Sequence, residues 1–534
     1  MSGECYPMSD MPQVSRLYAE YLAMPAGAKL KDWYGASPAG GDWMGRDVSV
    51  AHAEALADAL SAQQIEFGAG AAALANVEKL RRGARAVVTG QQVGLFGGPL
   101  LTLLKAATAV ARAKEATVAT GVDHVPVFWL ASEDHDLEEV DQISLLKKQE
   151  LETLRLGLKT TGGEVGKLVL GSGVDVLLEQ VSELLGYAPV CDLLRECYTA
   201  EATLGGAFAR LMARLFQAHG LIVMDAAGRA FHALGAPVLS AALSDAAALE
   251  AALLRRTSEL ETAGYHAQVL VKAGSSLLFL VNEAGVREAL RRGADGAWKA
   301  GVANFSIADL LRILTETPER LSPNALLRPV FQDAILPVAA YVGGPAEIAY
   351  FAQSAVLYEA ILGRKTPVLP RLSATLLTPA IASVMDRHEI AVKDVFAAKT
   401  VDGLTQRLGA RAMPIDGKRK VAAAGNVMDA ELTALTEYMA AMDASLGRAA
   451  LVSASKMRYQ MNRLRRMAAT YEAQKDASLR KHATAMCLHV FPEGHAQERV
   501  IGGVWFLAQA GMEVVDRFVT EAAAMCVGHE VVRL

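Results

Sequence analysis

Four short segments of this 534-residue chain concentrate side chains able to do chemistry. In Ala86–Leu104, AVVTGQQVGLFGGPLLTLL, a short β-branched run passes through a glycine-rich turn into an apolar helix. Such a turn aims backbone N–H groups and a helix dipole at whatever enters, and glycine lets the backbone approach an anion closely. The stretch is neither a Walker A loop nor G-x-G-x-x-G, and glycines at a tight turn can also serve packing alone. Gln91 and Gln92 add neutral amides that can read a polar small molecule without bringing charge.

The second segment, 132-SEDHDLEEVDQ-142, flanks His135 with Glu133, Asp134 and Asp136. A histidine among carboxylates is suited to act as a general acid or an oriented base. The same cluster could bind a divalent metal, or could be an acidic helix start with Ser132 as N-cap. In the third, 322-SPNALLRPVFQDAILPVAAYVGGPAEIAY-350, Arg328 sits among apolar residues and needs an anionic partner, internal or on a ligand. Gly343 and Gly344 precede a helix start at Pro345, and Glu347 in its first turn either complements the dipole or binds an amine. The fourth, 491-FPEGHAQERV-500, offers Gln497, Glu498 and Arg499 at another helix start, alone no more than a surface cap.

The elements that must position these groups read as follows. Ala84–Thr89 is a buried strand, Pro99 takes the first helical position, and Leu100 to Val110 give a broad apolar face. VPVFWLA at 125–131 is a second buried strand, so strand, turn, helix and strand form a βαβ unit and a parallel sheet. LIVMDA at 221–226 adds another strand after a helix ending near Gly220. Open parallel sheets bind ligands beyond the carboxyl ends of their strands, so the first two segments should converge on one crevice. Residues 50–82 read as helix, and 265–271 with 275–285 as a two-stranded element. Residues 322–371, dense in Pro and Gly, read as loops threaded between short buried elements.

Past residue 425 the pattern becomes helical, with Leu432, Leu435, Met439, Met442 and Leu446, then Met457, Met461, Leu464, Ala468 and Tyr471, at 3,4 spacing. This predicts an antiparallel hairpin with a shorter first helix, Asp443 as N-cap of the second, and that second helix reaching about Cys487. The basic run NRLRRM at 462–467 is a solvated face. The division expected is 1–150, the first part of an α/β parallel-sheet core with N-terminal helices, then 151–320, its continuation with an insertion. Residues 321–390 form its second part with the site loops, 391–425 a connector, 426–490 the hairpin, and 491–534 a return to the core.

A formal net charge of −5 argues against a general nucleic-acid partner. No secretory signal and no apolar run of about 18 residues is visible, so a cytoplasmic protein with no membrane partner is expected. The five cysteines are scattered, which suggests reduced thiols. No Cys/His spacing suggests a metal centre.

Taken together and in order, TGQQVGLFGGPLLTLLKA, VPVFWLASEDHDLEEV, LSPNALLRPVFQD…GGPAEIAYF…PVLPRLS and HVFPEGHAQER resemble the BshC family of bacillithiol biosynthesis. The likeness spans essentially the whole chain. It implies a Rossmann-like core akin to class I aminoacyl-tRNA synthetases, connecting-peptide insertions, and a long coiled-coil hairpin through which subunits form a homodimer. It implies a ligase that joins L-cysteine to glucosaminyl-malate through an amide. Because a carboxylate must be activated to acylate an amine, ATP or another nucleotide is implied too.

By the same resemblance Thr89, Gln91, Gln92, Gly94, Gly98 and Pro99 line an anion-binding floor. Asp134 and His135 orient the amine and move its proton, with Gln92 grouped among the catalytic residues and Glu133 and Asp136 beside them. Asn324, Arg328, Gly344, Pro345, Glu347 and Tyr350 bind substrate, Arg328 holding the malate carboxylate. Gln497, Glu498 and Arg499 bring the end of the chain back to the core. Gly97 stands where the family pattern suggests Thr, and His495 where Gly or Leu is usual. The chain has no H-I-G-H and no K-M-S-K-S loop, the elements that neutralise ATP phosphates in synthetases. Two rival readings are a metal-dependent hydrolase or transferase built on Glu133–Asp136, and a non-catalytic coiled-coil assembly protein.

Overall fold

In the computed structural model, which describes residues 4–534 apart from 25–29, 36, 37, 39, 161, 294, 295 and 525, the first buried run is strand β1, Arg85–Gln92. Its Ala86, Val87 and Val88 are fully buried, as expected of a strand covered on both faces. Helix α1, Leu101–Thr120, returns along the sheet and ends at a left-handed Gly121. Strand β2, His124–Ala131, then pairs parallel to β1. Strand β3, Ile222–Asp225, pairs parallel to β2. On the other side β4, Val338–Gly343, pairs parallel to β1, and β5, Val368–Pro370, to β4.

The order across the sheet is therefore β5-β4-β1-β2-β3, the first five strands of the 3-2-1-4-5-6 Rossmann order, with its reversal between β1 and β4. Helix α2, Arg229–Ser244, follows β3. Helix α3, Arg328–Ile335, precedes β4, and α4, Pro345–Leu362, follows it. Gly344 is the N-cap of α4 and Pro345 its first residue, an arrangement that suits a missing N–H and a preset φ.

A second, antiparallel five-stranded sheet interrupts this core, running Ala303–Phe305, Trp298–Ala300, Arg287–Arg292, Ser275–Val281 and Leu321–Pro323. It corrects the expected hairpin: residues 265–271 form no strand, and Ser275–Val281 pairs instead with Arg287–Arg292. The helix expected over 50–82 is two, Ala53–Glu66 and Ala71–Arg81, parted at Gly68, which has φ +66°.

The described chain divides into two compact units. One comprises Met1–Leu145, Glu152–Thr375 and Glu498–Val532; the other comprises Leu146–Leu151, Leu376–Gln497 and Arg533–Leu534. The second carries the hairpin, α5 Ile415–Met442 and α6 Ala444–Gln474. Asp443 does cap α6, accepting from the Ser445 and Leu446 amides. The first arm is longer than expected and begins inside the supposed connector. The second stops at Gln474, and Asp476 caps a separate helix, α7 Ala477–Val490. Small residues bring α5 and α6 together: a Cβ on Gly447 would lie 2.7 Å from the Ala440 Cα. Of the apolar series that marked the hairpin, Leu432 is buried, whereas Leu435, Met442, Met457, Leu464 and Tyr471 are exposed.

The thiols also need correction. Cys5 and Cys526 form a disulfide, tying strand Glu4–Tyr6 beside His529–Arg533, while Cys191, Cys197 and Cys487 are free and buried. Among the described residues no single helix is long and apolar enough to cross a membrane.

Candidate active site in the cleft at the strand reversal

A cleft of about 500 Å3 opens at the carboxyl ends of β1, β2 and β4 and draws in Arg371, just beyond β5. Its floor is the end of β1. Gly90 has no room for a side chain, since a Cβ would sit 2.9 Å from the Trp129 carbonyl oxygen. Lys105 reaches this floor from α1, almost wholly buried, and its Nζ donates to the Gly90 carbonyl (2.7 Å) and to Gln91 Oε1 (2.9 Å). Its charge partner is Glu347. Burial pulls the Lys105 pKa down although Glu347 opposes it. Burial would raise Glu347, but Lys105 and the Gly344 amide hold its carboxyl below the usual range. Tyr341 Oη and the Gly344 N–H also donate to Glu347, at 2.5 and 2.8 Å. Glu347 thus caps α4 and fixes the floor lysine at once.

One wall carries acids. Gln92 Nε2 donates to Asp134 Oδ2 at 2.7 Å, joining the glycine-rich loop to the acidic loop. Glu139 lines the same wall, its pKa raised by burial against the opposing hydrogen bond from Gln92. The other wall carries cations. Arg328 Nη2 donates to Tyr350 Oη at 2.7 Å, and its guanidinium lies 5.9 Å from the Tyr341 ring centroid. Burial alone would lower its pKa, but Tyr350, Tyr341 and Glu347 raise it. Arg371 is buried against Glu498, donating through Nη2 and Nη1 at 2.6 and 3.0 Å. Burial opposes ionisation of Glu498, but Arg371 and the Ala374 amide bring its pKa to about 2. Arg499 reaches the cleft exposed.

Subtracting the internal pairs leaves a pattern. Lys105 is paired with Glu347 and Arg371 with Glu498. Among the described residues Arg328 and Arg499 have no carboxylate ion-pair partner, while Asp134 and Glu139 face the cleft near Gln92. A cleft with free guanidinium on one side and carboxylate on the other can hold an acid and an amine together.

Of the expected site residues, Gln91, Gln92, Pro99, Asp134, Arg328, Gly344, Pro345, Glu347, Tyr350 and Arg499 line this cleft. The others serve elsewhere. Thr89 is buried and donates to the Val342 carbonyl, tying β1 to β4. Gly94 and Gly98 are spacers: a Cβ on Gly94 would lie 3.0 Å from the Gly98 Cα, and Gly98 has φ +68°. The glycine amides that were to form the cradle are already taken, Gly94 by the Gln92 carbonyl, Gly97 by Gly94 and Gly98 by Leu95, and the Leu100 amide goes to Ile501. They offer no anion cradle, and the turn docks residues 501–503 instead, the Gly98 carbonyl accepting from Gly503.

Glu133 turns inward to His232, Asp136 caps the short helix Leu137–Val140 in place of Ser132, and His135 lies exposed beside Arg287. Ser132 is buried and donates to Asp225. The side chains of Glu133–Asp136 diverge and do not gather around one point. Asn324 holds the turn that leads into α3, its Oδ1 accepting from the Leu326 and Leu327 amides. Gln497 is buried and pairs with the Leu376 and His489 backbone. Lys105, Glu139, Trp129 and Arg371 line the cleft although their types and spacing did not single them out.

The family model described as "Bacillithiol biosynthesis BshC, N-terminal Rossmann-like domain" matches residues 1–372, and "Bacillithiol biosynthesis BshC, C-terminal coiled-coil domain" matches 374–534. The chain belongs to the BshC family. A relative from Koribacter versatilis, named "Putative cysteine ligase BshC", is 41% identical over 100% of both chains. One of the same name from Solibacter usitatus is 36% identical over 99% of both, and one from Salinibacter ruber is 33% identical over 89% of this chain and 90% of its own. Membership in BshC places the chain in bacillithiol biosynthesis, among ligase-named relatives. It agrees with the parallel sheet and the helical hairpin seen here.

Proposed function

We propose that the chain joins L-cysteine to glucosaminyl-malate, forming an amide between the cysteine carboxyl and the glucosamine amine with loss of water. The observation that carries this reading is the bipolar cleft: Arg328 and Arg499, without carboxylate ion-pair partners among the described residues, face a cavity whose other wall holds Asp134 and Glu139. The guanidinium groups hold the carboxylates of the reactants, Arg328 that of malate. Asp134, fixed by Gln92, orients the amine and accepts its proton as the C–N bond forms. His135, at the rim beside Asp134, passes that proton to solvent. Lys105, neutralised by Glu347, fixes the floor without adding net charge.

ATP or another nucleotide, when bound, supplies the activation that a free carboxylate lacks. The Arg328 and Arg499 guanidinium groups, which among the described residues have no carboxylate ion-pair partner, fit an anionic group. The glycine turn, with its amides spent, does not. In this reading the protein acts in the cytoplasm as a homodimer through the apolar residues that α5 and α6 leave exposed. Light scattering on the full chain tests the dimer, and a Leu435→Asp, Leu464→Asp variant should be monomeric.

The decisive experiment incubates the purified chain with L-cysteine, glucosaminyl-malate and ATP and follows product by mass. Bacillithiol should appear with stoichiometric AMP or ADP, AMP marking adenylyl and ADP phosphoryl activation. Absence of product with every nucleotide would end the ligase reading.

A further inference from the structure

The acidic loop is held from below by groups outside the cleft. Ser132 Oγ donates to Asp225 at the end of β3. The Ser132 carbonyl accepts from the Gly166 amide at 2.9 Å and the Asp134 carbonyl from the Val165 amide at 2.8 Å. Between these ties Glu133 points inward, where His232 Nε2 on α2 donates to its Oε1 at 2.7 Å. His232 is completely buried, its ring 5.4 Å from that of Phe331 on α3, one turn beyond the cleft residue Arg328.

Glu133 lies in the turn after β2 and reaches inward to His232, while the next side chain, Asp134, reaches Gln92, so the inward anchoring of Glu133 is what keeps Asp134 turned outward. A buried carboxylate deprived of its partner is costly, and rolling Glu133 toward water relieves that cost. Rolling Glu133 out would carry Asp134 off the cleft wall.

We propose that His232 is a positioning residue: by clamping Glu133 beneath the loop it keeps Asp134 turned into the cleft and within 2.7 Å of Gln92. The pair is a charged one. Burial opposes both charges, yet Glu133 is held below the ordinary carboxyl range by His232, Arg287 and Lys167. His232 is raised by Glu133 and Glu164. Arg287 comes from the antiparallel sheet, Glu164 and Lys167 from the segment under the loop, and Asp225 from β3.

The kinetic consequence rests on the ligation reading; the clamp does not, and the test separates them. Hydrogen exchange of the full chain should show peptides covering 132–136 and 164–168 losing protection in His232→Ala. His232→Gln, which can offer an N–H to Glu133, should restore it. In the ligation assay His232→Ala should lower kcat by about 100-fold, the scale of a misplaced reacting group, with little change in KM. His232→Gln should recover most of that loss. If the two residues act as one clamp, the double variant Glu133→Ala, His232→Ala should lose no more than either single one. Should His232→Ala fail to fold, Glu133→Gln reads the same clamp with the His232 ring left in its packing. Unchanged exchange at 132–136 in a folded variant, or kcat falling only in proportion to the folded fraction, would overturn the proposal. Altered exchange in the variant with no product from the unmodified chain would instead overturn the ligation reading.

Discussion

Glu498→Gln tests whether the end of the chain completes the cleft. Glu498 accepts from both Arg371 terminal nitrogens, from Ser373 Oγ and from the Ala374 amide, all in the buried interior. A carboxyl taken from 4.5 to about 2 carries about 3 kcal/mol of folding stability at neutral pH. Glutamine keeps the shape but strands the Arg371 charge, and breaking a buried pair costs about 3–5 kcal/mol. Because the folded pKa lies below the unfolded one, this contribution is whole above pH 4.5 and is lost as pH falls toward 2. By pH 3.5 it should have shrunk by about 1 kcal/mol. Urea unfolding read by tryptophan fluorescence suits the measurement, since Trp33, Trp43, Trp129, Trp298 and Trp505 all lie in the core unit. An unfolding free energy within about 1 kcal/mol of the unmodified chain at pH 7, or a difference that does not narrow by pH 3.5, would refute the reasoning.

Three further outcomes are expected. Asp134→Asn should lower kcat by about 10²–10⁴-fold while the unfolding midpoint stays put, and Gln92→Ala should act in the same direction more weakly; product formation by mass checks both. Arg328→Ala should raise KM for glucosaminyl-malate by about tenfold or more, and Arg328→Lys should restore little of it, because an ammonium cannot give the two-pronged contact. Gly235→Ala should destabilise the core by about 1–3 kcal/mol in urea, since its Cβ would fall 2.1 Å from the Phe331 ring.

The parts of the fold that could be read in advance were those written in local pattern. AVV at 86–88 and VPVFWLA at 125–131 are apolar runs because both faces of their strands are covered, and a βαβ pairing follows from that and the helix between them. Gly344-Pro345 announced α4 through backbone chemistry at its first turn. The antiparallel sheet was obscured because strands such as REALRR are half exposed and carry charge on their outer face. The hairpin's apolar repeat was visible, but its direction was not: Gly447 and Ala450 make the close contact and leave Leu435 and Leu464 outside.

Within the site, Lys105 had a usable signal, a cation set among the apolar residues of the first two turns of α1. Its partner Glu347 lies 242 residues on and could be matched to it only through the sheet order. Glu133 and Asp134, adjacent and chemically alike, were not separable by type; their opposite directions come from His232 and Gln92, contributed by remote segments. Similarly, Gly94 and Gly98 suggested a cradle until the carbonyls that consume their amides came into view.

The core unit is discontinuous: Glu498–Val532 rejoins it after the hairpin-bearing unit has intervened. During synthesis, then, most of the parallel sheet emerges long before Glu498 and Arg499 do, and for that interval Arg371 must remain hydrated, with its side of the pocket unmade. A fragment ended at the domain limit near residue 372 would inherit that unfinished state permanently. Completeness of the binding face is therefore tied to arrival of the carboxy-terminal segment, so a nascent or truncated chain would have little means of engaging substrate early.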